Sequence, residues 1–166
     1  MPSPKQQFLA AYDREHETTM RVLRAFPPEK ADLQPHPKCK TAKDLAWVFV
    51  VERGLGTHVM NDAFAKGGPE GEIPQAPETY GEVLEALEHA HAEFRALVEG
   101  LSDESMNETV KFFTAPKTMG DVPRLEFLWF LVNDQIHHRG QFSIYLRMAD
   151  ARVPSIYGPT ADEPWM

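Results

Sequence analysis

Four stretches of this chain repeat apolar residues every three to four positions, and almost nowhere does it alternate apolar with polar residues. That periodicity constrains the fold most. A side-chain period near 3.6 buries one face of a helix, whereas a period of two buries one face of a strand. The first run covers about residues 4–26, with Phe8, Ala11, Tyr12, Glu15, Thr19, Val22, Leu23 and Phe26 on one stripe before Pro27 and Pro28 stop it. The second, about residues 42–66, follows Thr41 as N-cap, with Asp44 three residues on where a capping box places an acid. It sets Leu45, Val48, Phe49, Glu52 and Leu55 on adjoining faces, and Gly54 and Gly56 either weaken its middle or admit another backbone. The third, about residues 79–100, is capped by Thr79 and carries Val83, Leu84, Leu87, Ala90, Phe94 and Leu97. The fourth and longest, about residues 121–149, begins around Gly120–Pro123. Between them lie a Pro- and Lys-rich loop (EKADLQPHPKCK), a Gly/Pro-rich loop from Gly67 to Pro74, and a connection from Ser102 to Pro116. In that connection TVKFFT reads as a strand-like or turn segment, and residues 150–166 read as an irregular tail. The expectation is an all-α fold, a four-helix bundle forming a single domain over residues 1–166.

Composition narrows the function classes. At 166 residues the chain has the size of one domain with one real core, and 42% hydrophobic with 25% charged residues is ordinary for a soluble globular protein. The net charge of −8, from 17 Lys+Arg against 25 Asp+Glu, repels phosphate backbones and anionic lipid, so neither nucleic acid nor membrane is expected as a partner. Cys39 is the single cysteine, which excludes an intrachain disulfide and a Cys-rich metal cluster. The N-terminal residues lack the basic and apolar regions of a signal peptide, and no long apolar run appears. A reducing, cytoplasmic setting is therefore expected.

The chemistry concentrates in Asn133 to Gln141, NDQIHHRGQ. Asp134 and His138, four apart, stack one above the other on a helix, offset by roughly 40°. A carboxylate oxygen and an imidazole nitrogen can then reach one ion. His137 is displaced by one residue's rotation, while Gln141 and Tyr145 follow His138 by one and two turns. The flanking LEFLWFLV and FSIYL are apolar, so these polar groups sit where desolvation is costly. The plain alternative is a surface ion pair worth a few tenths of a kcal/mol. Arg139 reads as solvated, or as a bridge to a carboxylate on a neighbouring helix. Elsewhere His16, among Arg14, Glu15 and Glu17, reads as a solvated face, and His89 and His91, two apart, read as exposed. Cys39 reads as a tolerated loop residue more readily than as a nucleophile. No Ser–His–Asp order, phosphate loop or nucleotide fingerprint is present.

These residues also resemble a known family. NDQIHHRGQFSIYLRMADARVPSIYGP is similar to the C-terminal signature of the DinB family of bacterial proteins, in which HExHHRGQ…YLR…G…VP…YGP closes the fourth helix. MRVLRAFPPEKADLQPHPKCKTAKDLAWVFVVE resembles that family's end of helix one, its Pro-His-Pro loop and its start of helix two, and gives His36 a structural role. The resemblance implies a four-helix bundle of the DinB/YfiT kind, usually dimeric. It also implies a divalent metal (nickel, zinc or iron) held by one histidine of helix two and an HxxxH pair of helix four. Related members carry out thiol-dependent chemistry, including mycothiol-dependent maleylpyruvate isomerisation and bacillithiol transfer. This chain departs from the pattern twice. The first histidine of the pair falls on Asp134, and the helix-two histidine falls on Val48, which ligates nothing. His138 alone is kept.

Glu52, one turn after Val48, reaches toward the same space, so Glu52, Asp134 and His138 form a candidate carboxylate-rich triad suited to iron, manganese or zinc. Its competing reading is an ion pair with Arg139 or a surface acid. His58 lies about 15 Å along the axis from Val48 and is a poor substitute. Two functions follow as expectations. One is a metal-dependent, thiol-dependent transferase or hydrolase with Val48, His137, Gln141 and Tyr145 around its pocket. The other is a metal-free, non-catalytic homodimer that binds a small molecule or serves in stress.

Overall fold

The computed structural model describes residues 1–68 and 72–166. It contains helices α1 (Pro4–Arg24), α2 (Ala42–Met60), α3 (Tyr80–Gly100) and α4 (Arg124–Met148), with strands β1 (Thr109–Ala115) and β2 (Thr118–Pro123) between α3 and α4. Three of the helices start on side-chain caps legible in the sequence. Ser3 and Gln6 form a capping box on α1, Thr79 and Glu82 form one on α3, and Thr41 Oγ1 accepts from the Asp44 amide at the start of α2. α1 packs against α3 and α4, and α2 packs against the same two helices, so α1 and α2 face each other across the bundle.

Two boundaries differ from the periodic reading. α2 ends at Met60, not near residue 66, because Asp62 adopts a left-handed φ of 58° and Phe64–Lys66 form a short 3₁₀ turn. Residues 118–123 are a strand, not the start of helix four. β2 pairs antiparallel with β1, Val110 opposite Val122 and Phe112 opposite Gly120, and the chain turns at Lys117 with φ 60°. Alternation was hidden because Phe112 and Phe113 are adjacent and Phe113 points outward, half exposed. The tail after α4 has no regular element, yet Val153 is buried and Asp162 pairs with Arg147 at 2.7 Å.

The core is split in two. One apolar cluster holds Leu23 and Phe26 of α1, Ala46 and Phe49 of α2, Val83 and Leu87 of α3, and Phe142 and Leu146 of α4. The other holds Phe8 and Tyr12, Val59 and Met60, Phe94 and Val98, and Phe127 and Leu131, in the same helix order. Between them along the helices come the buried polar residues: Glu15 and His16, Glu52 and Arg53, His91, Gln135 and Arg139. The bundle is thus apolar at both ends and polar across its middle, and this middle layer carries its chemistry.

Candidate metal centre

Glu52 of α2 and Asp134 and His138 of α4 meet in that layer. One ligand atom from each lies within 4.8 Å of the other two. His138 Nε2 is 3.1 Å from Glu52 Oε1 and 3.8 Å from Asp134 Oδ1. Glu52 is 5% exposed because it occupies a core position of α2, on the stripe of Leu45, Phe49, Gly56 and Val59. Asp134 and His138 lie at the edge of α4's exposed face, with side chains 37% and 21% accessible, so the cluster is closed on the inside and open to solvent on the outside.

The Glu52 carboxylate is the unusual member. Both of its oxygens are buried, and neither accepts a well-directed hydrogen bond among the described residues, although Nε2 of His138 is close. Burial pushes its pKa up, opposed by His138; the Glu52 hydrogen-bonding contact in turn pushes His138 up. Proximity and direction disagree here: the two groups share a short separation without an aligned N–H···O bond. A buried carboxylate with unused lone pairs beside an imidazole nitrogen is what a cation site requires.

The other side of His138 is also arranged. Gln141 Nε2 donates to His137 Nε2 at 2.8 Å, which turns Gln141 Oε1 toward His138 Nδ1 at 3.4 Å. In the neutral imidazole, a proton on Nδ1 shared with that oxygen would leave Nε2 as the lone-pair nitrogen facing Glu52 and Asp134, the form a cation would select. The Phe49 ring stands edge-on to His138, with centroids 6.3 Å apart. Two carboxylates and one imidazole make a hard-to-borderline donor set, which fits a divalent ion such as iron, manganese or zinc.

Val48 packs on the first apolar cluster, and His137 is exposed. Tyr145 is buried, with its hydroxyl donating to the Lys40 carbonyl at 2.9 Å, so it anchors the loop before α2. His36 Nδ1 accepts from the Lys38 amide, and Cys39 is exposed. His58 is exposed on α2, away from the cluster, and His89 is exposed beside Glu93.

Three readings are corrected. Arg139 is not solvated and does not pair with Glu52, but it does bridge to a carboxylate on a neighbouring helix. It is 1% exposed and donates to the Glu15 carboxylate at 2.8 Å, to Thr19 Oγ1 and to Tyr157 of the tail. His16 and His91 are not solvated. They are 6% and 9% exposed and stack ring on ring with centroids 3.8 Å apart. His16 meets Glu88 at 2.9 Å and His91 meets Asp13 at 3.1 Å. Glu15, Tyr12, Arg53 and Tyr157 were missed as partners in this layer. The signal for three of them was present: Tyr12, Glu15 and Arg53 each fall where the apolar stripe of their helix demands a core residue, as His91 and Arg139 do.

The fold is a four-helix bundle with an open carboxylate–imidazole cluster between the neighbouring helices α2 and α4. The chain belongs to the DinB family, whose profile matches residues 1–165. It is similar to the uncharacterized protein YrdA of Bacillus subtilis, 25% identical over 156 residues, covering 94% of this chain and 89% of that protein. A DinB-like protein from Bacillus cereus superposes with a TM-score of 0.75 at 24% identity, over 90% of this chain and 95% of that one. The colibactin self-resistance protein ClbS, crystallised with double-stranded DNA, superposes with a TM-score of 0.62 at 15% identity, over 89% and 98% of the two chains. The exclusion of nucleic acid from net charge therefore does not hold for the fold, because net charge says nothing of where charges cluster. Among the described residues no helix is long and apolar enough to cross a membrane.

Proposed function

We propose that Glu52, Asp134 and His138 bind a divalent metal ion, and that the protein is a metal-dependent transferase or hydrolase of a small electrophilic substrate. The observation that carries this reading is the buried Glu52 carboxylate, with no well-aligned hydrogen bond among the described residues, facing His138 Nε2. A bound cation would supply Lewis-acid chemistry, polarising a substrate oxygen or holding a thiolate or water. The chain's own residues do the rest. Gln141 fixes the His138 tautomer, Phe49 shields the inner side of the imidazole, and the partly exposed Asp134 lines the entrance.

The 3.1 Å contact between His138 and Glu52 favours a second reading, in which the pair is complete as a buried ion pair and the protein is a metal-free binding module. Metal analysis of purified, untagged protein by inductively coupled plasma mass spectrometry separates the two. Near-stoichiometric metal in the parent, lost in His138→Ala and Glu52→Gln, supports the triad. Loss only in His138→Ala removes Glu52 as a ligand, and no uptake of nickel, zinc, iron or manganese by the parent sinks the metal reading. Self-association is part of the proposal: Ile144 and Met148, one turn apart near the C-terminal end of α4, are exposed and form an apolar patch suited to a second copy. Sedimentation velocity on Ile144→Lys tests it; an unchanged molar mass rules that face out.

A further inference from the structure

The middle layer contains one buried charge that no described carboxylate pairs. Arg53, next to Glu52 but turned toward α1 and α3, is 1% exposed. Its Nη1 donates to the Phe49 carbonyl at 2.7 Å and its Nη2 to His16 Nδ1 at 3.3 Å, and the guanidinium lies 5.6 Å from the Tyr12 ring centroid. Its Nε is buried with no acceptor among the described residues. The other two buried arginines each hold a carboxylate, Arg139 that of Glu15 at 2.8 Å and Arg124 that of Glu108 at 2.9 Å. None of the described carboxylates pairs with Arg53. A buried guanidinium without an anion is costly, so its place in the core calls for an explanation.

Arg53 also forms part of the wall of a cavity of about 520 Å³ between α2, α3 and the segment before α3, a size suited to a small organic ligand. Trp47, Val50, Val51, Leu55, Phe64 and Ile73 make its lining apolar. Trp47 Nε1 donates to the Pro74 carbonyl at 2.7 Å, which ties the 72–74 segment to the rim. Gly54 supplies a separate observation. It sits in mid-helix, where glycine is destabilising, and a Cβ there meets nothing within 4 Å, so no neighbouring side chain explains it. The space it leaves open belongs to the cavity. The rim carboxylates Glu72 and Glu93 disfavour an anion at the mouth, which directs a ligand's negative end inward.

We propose that this groove, distinct from the metal cluster, binds a small amphipathic organic acid, its carboxylate taken by Arg53 and its apolar body lying across Gly54 between Trp47, Val51 and Leu55. Isothermal titration calorimetry of the full chain at pH 7 with octanoate, octan-1-ol and octyltrimethylammonium tests it. Saturable binding of octanoate is expected, with the alcohol about tenfold weaker or more and the cation weaker still, since a charge-assisted hydrogen bond is lost. Gly54→Trp, a substitution into open space on an exposed helix position, is expected to abolish octanoate binding while circular dichroism stays unchanged. Arg53→Met is expected to bring octanoate down to the affinity of the alcohol. No saturable octanoate binding, equal binding of the cation, or undiminished binding in folded Gly54→Trp overturns the assignment, and the Gly54 variant decides the matter even where Arg53→Met fails to fold.

Discussion

The two central glycines of α2 are expected to respond in opposite directions to the same substitution. An alanine Cβ at Gly56 would stand 2.7 and 2.8 Å from Phe94 ring carbons and 2.9 Å from Leu131 Cδ1. Both neighbours are 1% exposed and locked in the second apolar cluster, so they have little room to retreat. Overpacking of this kind costs about 1–3 kcal/mol, against which the better helix propensity of alanine returns about 1 kcal/mol at most. Gly56→Ala should therefore destabilise by about 1–2 kcal/mol. At Gly54 the same Cβ meets nothing within 4 Å, so only propensity acts and Gly54→Ala should stabilise by about 0.5–1 kcal/mol. The variants should thus differ by about 1.5–3 kcal/mol in urea unfolding at constant m value, and by roughly 2–4 °C in Tm per kcal/mol for a chain of this size. Gly56→Ala as stable as the parent, with an unchanged m value, would refute the claim that close helix approach fixes this residue.

Other outcomes follow from the polar layer. Glu15→Ala strands the Arg139 guanidinium and should cost about 3–5 kcal/mol in urea unfolding, much of it recovered in the Glu15→Ala/Arg139→Met double variant; a loss under about 1 kcal/mol would show the pair to be incidental. Tyr157→Phe removes the hydroxyl that donates to Glu15 and should cost about 1 kcal/mol. Burial, then the charges of His16 and Arg53, hold the His91 imidazole down to about 4. Its folded pKa lies below the unfolded value of about 6.5, so between the two the unfolded chain binds a proton that the folded chain does not. Stability is then complete above about pH 6.5 and falls as pH drops toward 4, by about 1–2 kcal/mol once partial solvent access is allowed for. Unfolding free energies measured across that window should flatten in His91→Gln, and an unchanged slope would remove His91 as the cause.

How far the sequence could be read depended on whether the interaction was local. Thr41 and Thr79 as caps, and the Asp134–His138 pair one turn apart, are matters of a few neighbouring residues, and periodicity alone placed them. Glu52 was reached by counting one turn from Val48, which works because both lie on one helix. His16 and His91 were misread because their immediate neighbours are charged, or because two residues apart cannot share a point on one helix. What buries them is each other, across the α1–α3 seam. The sequence of β2 reads as the start of the fourth helix because six residues with only Met119 and Val122 as large apolar side chains carry too little alternation to outweigh the helical run that follows.

The chain by itself determined four amphipathic helices, their caps, and the type of donor that α4 can offer, since backbone hydrogen bonding and side-chain period are set within a few residues. Tertiary structure alone decided which carboxylate meets which cation. Arg139 lies close in sequence to Asp134, yet it is satisfied by Glu15, while Glu52 is left to His138 and Arg53 to none of the described acids. Those pairings turn on helix azimuth and axial offset between elements far apart in the chain, quantities fixed only when the two apolar clusters pack and bring the charged middles of four helices to one level.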